Sequence, residues 1–224
     1  MTTDATTSPG EVNGSSPRNP DQVGLPADYP LDLMHDVVTD EGLRYLCRPI
    51  RPDDAERLEA FHSHLSPHTC YLRFFSYHPV LRPDEVERFT HVDYADRLAL
   101  VAIAGDQIIG VGRYDRQPDT DEAEVAFVIA DEYQHHGIGS LLLDELVAAA
   151  RTEGIATFVA ETLYENRAMM DVFLHSGFSV THETEFDTVY LRFPITSTPR
   201  YRQAKAARDA TRRVGVHAVE PGMS

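Results

Sequence analysis

Between about residue 43 and residue 193, apolar residues recur in short continuous or alternating runs and in longer segments with an apolar residue at every third or fourth position. Short runs are typical of strands, and the longer period is typical of amphipathic helices. The predicted strands are residues 43–49, 98–104, 107–114, 124–130, 157–162, 178–181 and 187–193. The predicted helices are residues 55–65, 68–76, 140–151 and 167–175, with one more that starts at Pro83. This order of strands and helices predicts an α+β fold.

The two ends of the chain differ in composition from this periodic part. Residues 1–28 are rich in Thr, Ser, Pro, Gly, Asn and Asp, and we predict a disordered tail because they cannot bury enough apolar surface to offset the entropy of ordering. Residues 29–42 form an acidic lead-in segment, residues 43–194 the folded domain and residues 195–224 a basic tail. The alanine-rich stretch 198–213 predicts a helix in that tail. The sequence leaves open whether this helix is a solvated extension or docks against an acidic surface of this or another molecule.

The overall composition indicates one cytoplasmic domain without nucleic-acid or membrane partners. With 224 residues, of which 42% are hydrophobic, the chain can bury one sizeable core. Its formal charge of -16 argues against a nucleic-acid surface, which needs a basic patch. The two cysteines, Cys47 and Cys70, lack a Cys-x-x-Cys partner, as is usual in a reducing cytoplasm. We find no signal peptide and no apolar run long enough to span a membrane.

The loop QHHGIG at residues 134–139 links the predicted strand 124–130 to the predicted helix 140–151. Backbone N–H groups at the start of a helix lack intrahelical partners and, together with the helix dipole, favour an anion, so we expect a phosphate-bearing ligand. The glycine spacing differs from the Gly-x-Gly-x-x-Gly of dinucleotide sites, and no Gly-Lys-Ser/Thr follows as in a Walker loop. We interpret Ser140 as the cap of the helix, because no Gly-x-Ser-x-Gly elbow surrounds it.

Two motifs in this region resemble those of the GNAT (Gcn5-related) N-acetyltransferases. The Gln-x-x-Gly-x-Gly spacing that starts at Gln134 matches the family's signature between a strand and a helix. Asn166 begins a second segment that ends in a Gly-Phe pair, as in the family. The resemblance covers about residues 43–193. It implies a mixed, mostly antiparallel sheet flanked by helices, and an enzyme that transfers an acetyl group from acetyl-CoA to a primary amine.

Two short segments narrow the resemblance within the family. Residues 73–76 (RFFS) and 123–127 (AEVAF) resemble the bacterial protein lysine acetyltransferases that modify acyl-CoA synthetases. The implied acceptor is a protein lysine, with an acyl-CoA synthetase as one such partner. A small-molecule amine acetyltransferase and a non-catalytic acyl-CoA-binding regulatory module are the alternatives. We interpret Arg73 as the partner of a carboxylate at the edge of the core, with a contact to the acceptor as the other option.

The resemblance also implies which residues bind the co-substrate. Loop amides would hold the pyrophosphate of acetyl-CoA, backbone groups of two strand residues would bind the pantetheine arm, and an asparagine would anchor the CoA arm. These residues are, in that order, Gln134, His135, His136, Gly137, Ile138, Gly139 and Ser140; Val128 and Ala130; and Asn166. Protonated histidines would add charge to the phosphate site, and histidines without such a role are the simpler alternative. We expect no metal.

Transfer to an amine needs a base, because a free lysine with a pKa of about 10.4 is mostly protonated. The resemblance gives this role to Glu124, and alternation along the strand puts Glu122 on the same face. Many family members have a tyrosine as the proton donor to the leaving thiolate where this chain has Phe173, which puts a tyrosine acid in doubt. Tyr164 and His175 are nearby alternatives, and a thiolate is also a tolerable leaving group without an acid.

Overall fold

The computed structural model describes residues 25, 26 and 28–217, so the predicted disordered tail lies almost entirely outside the described residues. The described part contains one nine-stranded sheet and six α-helices. The strands are β1 (His35–Thr39), β2 (Arg44–Pro49), β3 (Arg97–Ala104), β4 (Gln107–Arg116), β5 (Glu122–Ile129), β6 (Thr157–Leu163), β7 (Thr181–Glu185), β8 (Thr188–Pro194) and β9 (Arg212–Val216). The helices are α1 (Ala55–His64), α2 (Pro67–Phe74), α3 (Pro83–Thr90), α4 (Ile138–Thr152), α5 (Arg167–Leu174) and α6 (Pro199–Asp209). None of these helices is long and apolar enough to cross a membrane.

The sheet opens between β5 and β6, with three strands on one side and six on the other. The strands are ordered β7-β8-β6-β5-β4-β3-β2-β1-β9, and every neighbouring pair is antiparallel except β5 and β6, which confirms the mixed, mostly antiparallel sheet. β5 and β6 pair only at residues 122–124 with residues 157–159. Beyond Glu124, β5 continues beside β4, whereas β6 continues beside β8 as far as Leu163. A V-shaped gap therefore starts at Glu124.

The sheet separates two hydrophobic cores. Alternate residues of β3 belong to different cores, Leu100 to one and Val101 to the other, because successive side chains point to opposite faces. The larger core lies against α4, where Leu142 and Leu146 have no exposed surface. The smaller core contains residues of α1 and α2, and Val128 of β5 packs against it. Glu124 shares its sheet face with Val128 and therefore lies on the α1 and α2 side.

Two predictions at element boundaries are wrong. The helix α4 starts at Ile138 with Gly137 as its N-cap, so Ser140 lies inside the first turn and is not the cap. The predicted strand 178–181 does not form, and β7 starts only at Thr181. Phe178 is buried and stacks on Tyr201 of α6, with 4.3 Å between the ring centroids. The apolar side chain of Phe178 therefore packs against α6 and is not part of a strand.

The basic tail docks onto the same molecule. Its predicted helix is confirmed as α6, and β9 pairs with β1, which comes from the acidic lead-in segment. Asp144 of α4 has no exposed side-chain surface and accepts hydrogen bonds from Arg208 at 2.7 Å, Arg212 at 3.0 Å and the hydroxyl of Tyr201 at 3.3 Å. Of the two alternatives left open by the sequence, this tail follows the docked one, and both flanking segments complete the sheet of the central domain.

Candidate active site

A cleft of about 560 Å³ lies beside the V-shaped gap, between α2, the end of β5, the loop before α4 and the start of α5. It contains most of the residues predicted to bind the co-substrate. Those that line it are Val128, Gln134, His135, Gly137, Ile138, Gly139, Ser140 and Asn166. Ala130 and His136 do not line it. The structure thus brings together two sequence motifs that are about thirty residues apart along the chain.

The loop before α4 has the backbone conformation of an anion site. Gly137 has a φ of 75°, a region that favours glycine, and a side chain at this position would be strained. The first hydrogen bond of the helix runs from the N–H of Leu141 to the carbonyl of Gly137. The N–H groups of Ile138, Gly139 and Ser140 therefore precede the first intrahelical bond at the N-terminus of a fifteen-residue helix. Such groups can bind a phosphate through backbone donors.

Hydrogen bonds to the start of α2 and to the end of β5 hold this loop in place. Gln134 donates from its amide nitrogen to the carbonyl of Ile129 at 3.2 Å and to the hydroxyl of Thr69 at 3.4 Å. Asp131 accepts from the hydroxyls of Ser66 at 2.6 Å and Thr69 at 2.7 Å. Burial disfavours the charged form of Asp131, but these hydrogen bonds outweigh it and hold the pKa of this carboxyl below its ordinary value. Sequence reasoning missed this network, whose partners are more than sixty residues apart.

The two loop histidines have different surroundings. His135 lines the cleft and has a φ of 66°, which is uncommon for a residue other than glycine. His136 lies 2.5 Å from the carboxylate of Glu41 through its Nδ1. That contact ties the loop to the β1–β2 turn and directs the His136 ring to a partner outside the cleft.

The backbone N–H and C=O groups of successive residues in β5 point alternately to β4 and to the gap. This corrects the expectation that Val128 and Ala130 bind the pantetheine arm. The N–H of Ala130 donates to the carbonyl of Ile109, and its carbonyl accepts from Tyr133, so both groups are occupied. In an antiparallel ladder every second residue exchanges hydrogen bonds with the neighbour, and Val128 has the same parity as Ala130. The groups that face the gap belong to Phe127 and Ile129, and Gln134 already occupies the Ile129 carbonyl.

Asn166 is the N-cap of α5 at the far wall of the cleft. Its side-chain oxygen accepts from the N–H of Met169 at 3.1 Å. Its amide nitrogen has no hydrogen-bond partner among the described residues and remains available to a ligand in the cleft. Arg167, the next residue, also lines the cleft and stacks over Tyr164 at 4.5 Å.

Two carboxylates of β5 share a face but differ in their partners. Glu122 forms an ion pair with Arg192 of β8. Glu124 forms no ion pair or hydrogen bond with any residue that the structure describes, and it is exposed at the apex of the gap. A second cavity of about 440 Å³ starts there and is lined by Glu124, Glu161 and Tyr190 among others. Burial and the charge of Glu124 raise the pKa of Glu161 above its ordinary value.

The proton donors considered from the sequence are not placed for that role. Phe173 is buried, packs at 5.5 Å from Phe193 between ring centroids, and has no hydroxyl. Tyr164 and His175 are both exposed and line neither cavity. Arg73 does line the cleft, and it has no carboxylate partner among the described residues. The described residues also contain no cluster of three or more His, Cys, Asp or Glu side chains that could hold a metal ion.

Comparisons with known proteins agree with this geometry. The GNAT acetyltransferase family model matches residues 60–178. An acetyltransferase of Pseudomonas aeruginosa is 32% identical over 143 residues, which are 62% of this chain and 77% of that protein. Acetyltransferase Pat of Mycolicibacterium smegmatis is 33% identical over 185 residues, 77% of this chain but only 54% of that protein, so the chain spans about half of its length.

A crystal structure gives the same result at the level of the fold. The GNAT domain of S. lividans PAT superposes with a TM-score of 0.70 and 40% sequence identity, over 74% of this chain and 99% of that domain. The family match covers more than half of the chain and includes the loop, the V-shaped gap and Asn166. The protein therefore belongs to the GNAT family and is an acetyltransferase that uses acetyl-CoA.

Proposed function

We propose that this acetyltransferase modifies the ε-amino group of a lysine in a protein acceptor, by direct attack of the amine on acetyl-CoA with Glu124 as the general base. The observation that carries the proposal is the unpaired carboxylate of Glu124 at the apex of the gap, beside its ion-paired neighbour Glu122. A base must be free to take a proton, and Glu124 alone of the two forms no ion pair with a described residue.

Acetyl-CoA lies along β5 in this proposal. Its pyrophosphate is held by the N–H groups of residues 138–140, and its pantetheine arm runs along the strand edge that faces the gap, where the free N–H groups of Phe127 and Ile129 point. Five residues separate Ile129 from Glu124, which is about 17 Å of extended strand. This distance lets the thioester approach Glu124 when the phosphates are bound at the loop.

The charge around the second cavity favours a cationic acceptor. Glu124, Glu161 and Glu183 line it, and the chain as a whole carries a formal charge of -16. A lysine approaches as an ammonium ion and is attracted by these carboxylates. Glu124 then removes one proton, and the amine nitrogen bonds to the carbonyl carbon. The nitrogen gives up its second proton to water, and the carbon–sulfur bond breaks with its electron pair on sulfur so that CoA leaves as a thiolate.

The similarity to Pat proteins supports a protein acceptor, and an acyl-CoA synthetase is the first partner to test. Small cationic amines have the same reacting group, and an open cavity of about 440 Å³ also admits them. The two acceptor classes differ in the contacts that they make outside the cavity, so they are separated by their catalytic efficiencies.

The test measures thiol release from acetyl-CoA with an acyl-CoA synthetase as acceptor and, in parallel, with a panel of amino acids and polyamines. We expect Glu124→Gln to lower kcat by about 10²-fold to 10⁴-fold, the usual contribution of a general base. Glu122→Gln is the matched control and retains most activity. Mass spectrometry of the acceptor locates the new acetyl-lysines.

Each negative result has a distinct meaning. Equal turnover by wild type and Glu124→Gln contradicts the assignment of the base. Turnover with small amines but with no protein acceptor contradicts the protein lysine assignment.

A further inference from the structure

Arg73 lies in the last turn of α2, at the junction of two spaces. It lines the 560 Å³ cleft and also a smaller apolar cavity of about 40 Å³ between the sheet and the first three helices. Its side chain is partly buried, and its guanidinium carbon is 5.1 Å from the centroid of the Phe74 ring. A cation in such surroundings loses hydration that must be replaced by other interactions.

Within the described chain, Arg73 has no ion pair and no hydrogen bond. Three other arginines with little exposed surface each have a carboxylate within 3 Å. These pairs are Arg48 with Asp54 at 2.6 Å, Arg113 with Asp115 at 2.8 Å and Arg208 with Asp144 at 2.7 Å. Arg73 differs from these three because it lacks a carboxylate partner among the described residues while it lines the cleft, and this leaves room for an anion that is supplied by a ligand.

The position of Arg73 relative to the loop is fixed by the other end of its helix. Thr69 and Arg73 are four residues apart and lie on the same face of α2, about 6 Å apart along the axis. Thr69 is bound to Asp131 and Gln134 at the phosphate end of the cleft. Arg73 is therefore one helical turn farther from the phosphate end, on the side where β5 leads to Glu124.

The guanidinium is charged at neutral pH. Burial, followed by the charge of Arg113, lowers the pKa of Arg73 to about 10, and the charge of Glu124 opposes this shift. The interaction with Glu124 also indicates that the two groups share the reaction end of the cleft.

We propose that Arg73 stabilises the thiolate of CoA as it leaves, and this inference rests on the proposed acetyl transfer. The carbon–sulfur bond breaks with its electron pair on sulfur, while one proton of the lysine ammonium goes to Glu124 and the second goes to water. The sulfur then carries a full negative charge that needs a counter-charge or a proton. Phe173 cannot provide a proton, whereas Arg73 provides a positive charge that is already in position. A role in binding the acceptor fits less well, because an arginine repels an incoming ammonium ion.

The test compares CoA with an analogue in which hydrogen replaces the thiol group, and it needs no acceptor. Binding of both ligands is measured by calorimetry from about pH 6 to about pH 9, across the ordinary thiol pKa of about 8.5. In wild type, the affinity for CoA relative to the analogue rises about tenfold over this range, because a nearby cation favours the thiolate. In Arg73→Gln the ratio stays nearly constant, while Arg73→Lys retains the rise because it retains the charge.

Arg167→Gln is the matched control, since Arg167 lines the same cleft at the α5 wall. It changes the affinities for CoA and for the analogue by the same factor at each pH, and the rise of their ratio persists. A flat ratio in wild type, or an unchanged rise in Arg73→Gln, overturns the inference. A lysine variant that behaves like the glutamine variant also contradicts it.

Kinetics provide a second readout. Arg73→Gln lowers kcat by about 10²-fold, similar to the loss of one preorganised electrostatic donor, with the acceptor KM nearly unchanged. A rise in the acceptor KM at constant kcat overturns the inference in favour of an acceptor contact. If no amine is acetylated by any variant, the proposed function fails, whereas the CoA titration still decides the role of Arg73.

Discussion

Asp144 on α4 and Glu124 on β5 are both carboxylates, but their surroundings are opposite. Asp144 is fully buried and receives hydrogen bonds from two arginines and a tyrosine of the C-terminal tail. Glu124 is exposed at the apex of the gap and has no partner within the described residues. Charged side chains that form ion pairs join the tail to the domain. Charged side chains without an ion pair lie where a co-substrate and an acceptor are expected to meet.

Arginines show the same contrast. Arg208 and Arg212 pair with Asp144, and Arg48 pairs with Asp54, whereas Arg73 has no carboxylate partner among the described residues. A partly buried cation that lacks an internal partner is costly for folding, and the place of Arg73 in the cleft agrees with the proposed role toward a ligand. This difference predicts that substitution of the ion-paired residues mainly lowers the free energy of unfolding. Substitution of the residues without an ion pair mainly lowers the activity.

The largest effect on stability is expected for Asp144→Asn. This change removes the charge but keeps the size. It leaves Arg208 without a carboxylate among the described residues and the nearly buried Arg212 with Asp209 alone, so we expect a loss of about 3 kcal/mol in the free energy of unfolding. Urea denaturation measures it. Asp84→Asn is the control, because its pair with Arg82 is exposed on both sides and should contribute little to stability. Equal losses in both variants break the proposed contrast.

A smaller effect is expected from acid. Burial disfavours the charged form of Asp54, but its bond to Arg48 outweighs this and holds the pKa of Asp54 below its ordinary value. A carboxyl with a lowered folded-state pKa contributes stability above the unfolded pKa of about 3.9, and this contribution is lost as the pH falls toward the folded value. The free energy of unfolding should therefore decline below about pH 4. Asp54→Asn should be less stable at neutral pH and show a shallower decline, and an unchanged slope contradicts the account of this pair.

The smallest effect on stability is expected for alanine substitutions of the glycines at the two ends of α4. Their comparison separates backbone strain from an effect on ligand binding. Gly137 and Gly154 both have a φ of 75° and no atom within 4 Å of an added Cβ. Replacement of either by alanine should cost about 1 kcal/mol through backbone strain alone. Only Gly137→Ala should also weaken acetyl-CoA binding, because Gly137 lies in the cleft. Calorimetry with acetyl-CoA checks this, and equal affinities in the two variants contradict the placement of the phosphates.

The periodic part of the chain was predictable because its elements are local. The helix at α1 and the hairpin between β3 and β4 follow from apolar spacing and from turn residues at Gly105. The phosphate loop was predictable for the same reason, since its glycines, the strand before it and the helix after it are contiguous. Its helix start was misplaced by two residues, because the cap is a glycine and not a hydroxyl side chain.

The remaining features depend on contacts between distant segments. The sequence around Asp144 does not distinguish it from an exposed acidic residue of a helix. Its side-chain hydrogen-bond partners come from α6 and β9, which are far away along the chain. Phe178 was assigned to a strand because the sequence does not show that Tyr201 would pack against it. Alternation along β5 predicts side-chain faces, but the partner strand is needed to learn which backbone groups face the gap, and this is why Val128 and Ala130 were chosen in place of Phe127 and Ile129.

Rescue of Glu124→Ala by a small carboxylate tests the central claim most directly. The initial rate of acetyl transfer to an acyl-CoA synthetase is measured with and without added formate, in parallel with Glu122→Ala. We predict that Glu124→Ala loses at least about 10²-fold in kcat and recovers part of it with formate, while Glu122→Ala stays near the wild-type rate and does not respond. Wild-type turnover by Glu124→Ala without formate would contradict the account.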